Sequence, residues 1–113
     1  MAQTRSVRVA ADPPLVRIAG SLGRLVDVSE TGALVQVQQT ITADREWRML
    51  ISLDPEPVEL GVRVVRSEAV SVQLPDATWQ RQEYAIGLAF TELPLKAKEA
   101  IQRLCGEAFG KEE

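Results

Sequence analysis

Leu25-Val26-Asp27-Val28-Ser29-Glu30-Thr31-Gly32-Ala33-Leu34-Val35 sets two apolar runs around a polar turn. Valine and leucine on both sides favour strands. The Asp27-x-Ser29-x-x-Gly32 pattern between them supplies residues that bond their own backbone in turns, and a glycine that tolerates tight geometry. The stretch therefore reads as two strands joined by a short connection that gathers a carboxylate and a hydroxyl at one strand end.

Strand signals continue on both sides. Upstream, Leu15 to Leu22 begins the folded body, with Val16 and Ile18 alternating against Arg17. Gly20-Ser21 and Gly23 mark a turn or bulge, and Arg24 to Val28 is a second strand. Gly32 to Gln38 is a third, with Leu34 facing opposite to Val35 and Val37. After a polar loop from Thr40 to Glu46, Trp47 to Leu53 places Trp47, Met49, Ile51 and Leu53 on one face. Asp54-Pro55-Glu56-Pro57 is a turn, since two prolines cannot donate to a ladder. Val58 to Glu68 is a long fifth strand, which Val70 to Leu74 extends or pairs with locally. Pro75 to Glu83 is a polar excursion carrying Trp79. Tyr84 to Phe90 is the sixth strand, where Gly87 signals a bend or close backbone approach.

From Pro94 the period changes to that of a helix. Ala97, Ile101, Leu104 and Ala108 share one stripe, with Ala100, Cys105 and Phe109 beside it. Pro94 suits the first turn and Gly110 the exit. The predicted fold class is all-β with one helix. Six antiparallel strands close into a β-barrel, which removes sheet edges in a small chain, and a C-terminal α-helix covers it. Residues 1–14, ending in Asp12-Pro13-Pro14, form a flexible basic N-terminal arm; residues 15–110 form the barrel domain with its helix.

Composition narrows the function. The chain has 113 residues, enough for one small domain. Apolar residues make up 45% and aromatic residues 4%, so the core is aliphatic. There is no histidine and one cysteine, which disfavours a zinc site and removes Ser-His-Asp and Cys-His catalysis. Lone Cys105 on an apolar helix face reads as core packing. No apolar run reaches the roughly 18 residues of a membrane span, and the start lacks an apolar signal segment. A cytoplasmic location without membrane insertion is expected, for a whole protein or a piece of a larger one. Net charge is −3, which disfavours binding to a nucleic-acid polymer. Yet Arg5, Arg8, Arg17 and Arg24 face Asp12 alone within residues 1–26, so positive charge gathers ahead of Asp27.

Taken together, these features resemble the PilZ domain family of bacterial receptors for cyclic di-GMP. Asp27-Val28-Ser29-Glu30-Thr31-Gly32 matches the family's Asp/Asn-x-Ser-x-x-Gly motif. Gly61-Val62-Arg63-Val64-Val65-Arg66 is similar to its fifth strand, and Tyr84-Ala85-Ile86-Gly87-Leu88-Ala89-Phe90 to its last. The helix near Pro94 is similar to its closing helix. The family's Arg-x-x-x-Arg motif is altered: Arg8-Val9 fits its second arginine, Thr4 takes the place of the first, and Arg5 stands three residues from Arg8.

The resemblance implies a non-enzymatic receptor whose ligand is cyclic di-GMP, held without metal or cofactor by Arg5, Arg8, Asp27, Ser29 and Gly32. The arginines would meet phosphates and guanine through their planar forks. Asp27 would accept from guanine N–H groups, Ser29 would add a hydroxyl, and Gly32 would leave no Cβ against the ligand. Binding would order the arm and signal to a downstream protein partner. Other readings stand beside this one. Asp27 and Ser29 also suit a purely structural turn, and the arm suits a solvated tail. Arg17, Arg24, Arg63 and Arg66 read as outward strand charges, Trp47 as core or rim, and Trp79 as packing over a barrel end or a partner surface. The alternative function is a degenerate PilZ domain acting as a protein-interaction module without nucleotide binding.

Overall fold

Alternating apolar side chains build seven strands and one helix in the computed structural model, which describes residues 7–8, 13–53, 56–73 and 80–109. The strands are β1 (Val7–Arg8), β2 (Leu15–Ile18), β3 (Ser21–Val28), β4 (Gly32–Val37), β5 (Glu46–Ile51), β6 (Val58–Gln73) and β7 (Gln80–Glu92). Helix α1 spans Leu95–Phe109. Strands β2 to β7 run in the spatial order β3-β2-β5-β6-β7-β4, and β4 returns to pair with β3. All pairings are antiparallel, so the six strands form the predicted closed barrel.

The interior is aliphatic. Val16, Ile18, Leu25, Val35, Met49, Ile51, Leu60, Val62 and Ile86 are buried. Period two sends their neighbours outward. Ala97, Ala100 and Ile101 are the buried face of α1, which packs against β6 and β1. The carbonyl of Pro94 accepts the Lys98 N–H at 2.8 Å, so the proline stands at the helix entrance, where its missing N–H costs nothing. Among the described residues, no helix is long and apolar enough to cross a membrane.

The ends of several strands differ from the sequence expectation. The run Leu15–Leu22 is split by a two-residue turn, Ala19-Gly20, which joins β2 to β3 with φ of 54° and 80°. Two positive φ values make the twist-matched hairpin connection. Strands β6 and β7 run further than their apolar cores, with Gln73 still opposite Gln80. This ribbon passes beyond β5, whose pairing with β6 starts at Glu46↔Arg63, and beyond β4, whose pairing with β7 ends at Val37↔Tyr84. On its β7 side the ribbon is polar, Gln80 to Glu83, which is why alternation of apolar residues does not mark it as strand. Within the expected arm, Val7–Arg8 pair with the end of β3. The arm's residues 1–6 and 9–12, the turn residues Asp54 and Pro55, the segment 74–79 with Trp79, and Gly110 lie outside the described residues.

Strand β3 is the junction of this architecture. One edge pairs with β4. The other pairs first with β2, through Ser21 to Arg24, and then with β1 at Asp27 and Val28. The handover falls at Pro13-Pro14. Neither proline can donate, and Pro14 ends its ladder by accepting the Leu25 N–H at 2.9 Å.

One outer-face cluster carries charge into the sheet. The Glu83 side chain is 3% exposed. Gln36 Nε2 donates to its Oε1 at 2.6 Å, and Arg81 Nε donates to its Oε2 at 2.9 Å. Arg24 stands 3.8 Å away. The Gln36 hydrogen bond, with the Arg81 and Arg24 charges, outweighs desolvation and holds the Glu83 carboxyl below its ordinary value of 4.5. A carboxyl depressed by folding adds stability above its unfolded pKa and loses it as pH falls through the folded one. Glu83→Gln is therefore expected to cost about 1.5–3 kcal/mol at neutral pH. Thermal unfolding across pH should show the gap to wild type closing as pH drops below 4.5.

Candidate functional site

The connection between β3 and β4 is a tight hairpin. Ser29 N–H donates to the Gly32 carbonyl at 2.9 Å, leaving Glu30 and Thr31 at the tip. The Ser29 side chain folds into this turn and the residue is 4% exposed. Its Oγ accepts the Thr31 N–H at 3.3 Å and lies 3.4 Å from both Thr31 Oγ1 and the Gly32 carbonyl. The tip is zipped to β7, because the Thr31 carbonyl accepts the Phe90 N–H at 3.0 Å. Gly32 lies opposite Ala89, and a Cβ there would stand 2.3 Å from the Leu88 carbonyl oxygen. Its missing side chain permits close approach of two backbones.

Asp27 owes its position to a β-bulge. Leu25 points into the core, and simple alternation would send Asp27 the same way. The β3–β4 register slips between Leu25 and Asp27, so Asp27 pairs with Leu34 on the outer face. A second slip, between Val64 and Arg66 on β6, does the same for Arg66. Val62 and Val64 are buried, but Val65 is 61% exposed and Arg66 lies outward, opposite Gly87.

The two bulges put Asp27, Leu34, Gly87 and Arg66 in one cross-strand row over β3, β4, β7 and β6. Three strand spacings make this row about 14 Å long. A groove of about 310 Å³ follows it, with Gly32, Gly87 and Ala89 providing low walls and floor. The Arg66 stem lies across Gly87: a Cβ on that glycine would be 3.0 Å from Arg66 Cγ and 3.1 Å from Nε. On the other side of Asp27, the β1 register sets Arg8 directly across from it.

The structure thus gathers Asp27, Ser29 and Gly32 at one end of the groove and brings the Arg8 backbone beside them. Arg5 lies outside the described residues. Arg17, Arg24, Arg63 and Arg66 are exposed, as expected of strand charges. Arg66 nevertheless lines the groove, which alternation could not reveal; the interior glycine at 87 was the signal of a close approach there. Trp47 stands at the rim, half-buried, with its indole N–H donating to the Thr42 carbonyl at 2.9 Å and Arg45 4.9 Å from the ring centre. Cys105 packs near the end of β3, its Sγ 3.9 Å from the Val28 carbonyl oxygen. Burial, with Glu30 adding to it, raises the thiol above its ordinary pKa.

A small closed barrel with a helix at one end and an outer-face groove at the β3–β4 turn defines the class. Within it, the chain belongs to the PilZ domain family, whose model matches residues 3–107. A search of curated proteins finds no match. Among solved structures, the chain is similar to the PilZ domain of YcgR from Escherichia coli, determined with c-di-GMP. The TM-score is 0.71 at 11% identity, over 95% of this chain and 90% of that one. It is also similar to MrkH, described as a c-di-GMP-dependent transcription regulatory factor, with a TM-score of 0.68 at 10% identity. That match covers 99% of this chain but 52% of MrkH, so the chain spans about half of that protein.

The geometry of the turn predicts that Gly32→Ala destabilises the ligand-free domain by roughly 1–3 kcal/mol, because the new methyl meets backbone rather than a flexible side chain. Ser29→Ala should cost less, about 1 kcal/mol or under, since its hydrogen bonds are long. Thermal unfolding of the two variants without nucleotide checks this order.

Proposed function

We propose that this domain is a non-enzymatic receptor for cyclic di-GMP, and that nucleotide binding closes the N-terminal arm over the groove to signal to a protein partner. The observation that carries the reading is the β1–β3 register, which sets Arg8 across from Asp27 at the mouth of the groove. Membership of the PilZ family supports the same ligand.

Each residue then has a physical role. Asp27, as a carboxylate, accepts from the N–H edge of a guanine. Arg8 and Arg5 bring guanidinium groups to the doubly charged nucleotide, where a planar fork serves phosphate oxygens or the guanine O6 and N7 edge. Ser29 holds the turn, and its long hydrogen bonds leave the hydroxyl free to re-partner toward the ligand. Gly32 keeps the turn seated on β7. No step of this mechanism makes or breaks a covalent bond. Ordering the arm against the end of β3 changes the surface beside the β3–β4 turn, which is the output of the switch.

A second reading rests on a specific observation. The arginines of the arm are three residues apart, not four, and in an extended segment one residue reverses the face of a side chain. Under that reading the domain is an interaction module that captures its protein partner regardless of nucleotide.

Titration calorimetry separates the two. Cyclic di-GMP should bind with a Kd of about 1 μM, equivalent to roughly 8 kcal/mol. Arg8→Ala and Asp27→Asn should each weaken it about ten- to hundredfold, the worth of one charge-assisted contact. Flat heats at high nucleotide concentration would remove the receptor reading and leave the interaction module.

A further inference from the structure

We propose that Arg66 supplies the cation on the far wall of the groove and, with Arg8, clamps the dianionic nucleotide from both ends of the cross-strand row. This inference rests on the receptor reading above and adds to it a residue from outside the arm and the turn.

The argument is first electrostatic. A cyclic dinucleotide carries two phosphate charges, and Asp27 lines the groove. Among the described residues, Arg66 is the one cation that lines the groove. Without it, the described wall would repel the phosphates at short range. The altered spacing in the arm leaves one guanidinium out of its family position, and Arg66 offers a replacement from the opposite side.

The argument is then geometric. Arg66 faces outward only because of the slip between Val64 and Arg66; alternation would have buried it. Its stem lies over Gly87, leading from β6 toward β4 and Asp27. Glycine at 87 makes this seat, since a Cβ would press on Arg66 Cγ and Nε. No ion pair with any described residue commits the guanidinium elsewhere. The side chain is thus positioned by packing along its stem while its charged end stays available.

The test is calorimetry with cyclic di-GMP at low and moderate salt on wild type, Arg66→Met, Arg66→Lys, Gly87→Ala and Arg8→Ala. Arg66→Met should bind roughly ten- to hundredfold more weakly. Its affinity should also fall less steeply with salt, because one exposed ionic contact is gone. Arg66→Lys keeps the charge and should recover part of the loss. Gly87→Ala keeps the arginine but lifts its stem, and should give an intermediate loss. Melting temperatures of the Arg66 variants should stay at the wild-type value, since the side chain is exposed and forms no ion pair with any described residue. Wild-type affinity in Arg66→Met, alongside lost binding in Arg8→Ala, would overturn the role of Arg66 and leave the receptor reading standing. Absence of binding by wild type would overturn both.

Discussion

Two register slips, at Val26 on β3 and at Val65 on β6, are the constraint on which the groove depends. A strand has a side-chain period of two, so one extra residue exchanges the inner and outer faces for everything beyond it. Leu25, Val62 and Val64 must point inward because the core requires them. Asp27 and Arg66 share their parity and would follow them into an aliphatic interior, where an unpaired charge is prohibitively costly. The slips release both residues to the same outer row, with Leu34 and Gly87 between them. Remove either bulge and the row loses one of its two charged ends.

The rest of the barrel serves to hold that row still. The core is built almost wholly from valine, leucine, isoleucine and methionine, whose packing sets the register of every strand. The buried Glu83, fixed by Gln36 and Arg81, ties β4 to β7 on the outer face above the groove. Below it, Gly32 lets β4 approach β7 until the Thr31 carbonyl meets the Phe90 amide. The turn bearing Asp27 and Ser29 is therefore anchored on β7 at its tip and on β4 along its length.

The proline pair at 13 and 14 connects the barrel to the arm. By ending β2, it frees the last part of the β3 edge, and β1 takes the vacancy. Among the described residues, β1 pairs with β3 at two positions and β2 at four. Helix α1 packs against both β1 and β6.

Much of this was legible in the chain. Alternation located six strands, the change of period located the helix, and Asp27-x-Ser29-x-x-Gly32 located the turn, because local spacing is what sets which side chains share a face. Gly87 could be marked as a close approach, though not what approached it. Arg66 could be placed only as an outward charge, and the polar start of β7, Gln80 to Glu83, reads as part of a loop excursion, because its pairing depends on a distant strand and not on burial. The sequence by itself determined the elements, the aliphatic core and the chemistry of the turn. Only the tertiary structure decided that Asp27 and Arg66 lie in one row, with Arg8 across from Asp27. Register between strands far apart in the chain is settled by packing across the closed barrel, which no local pattern encodes.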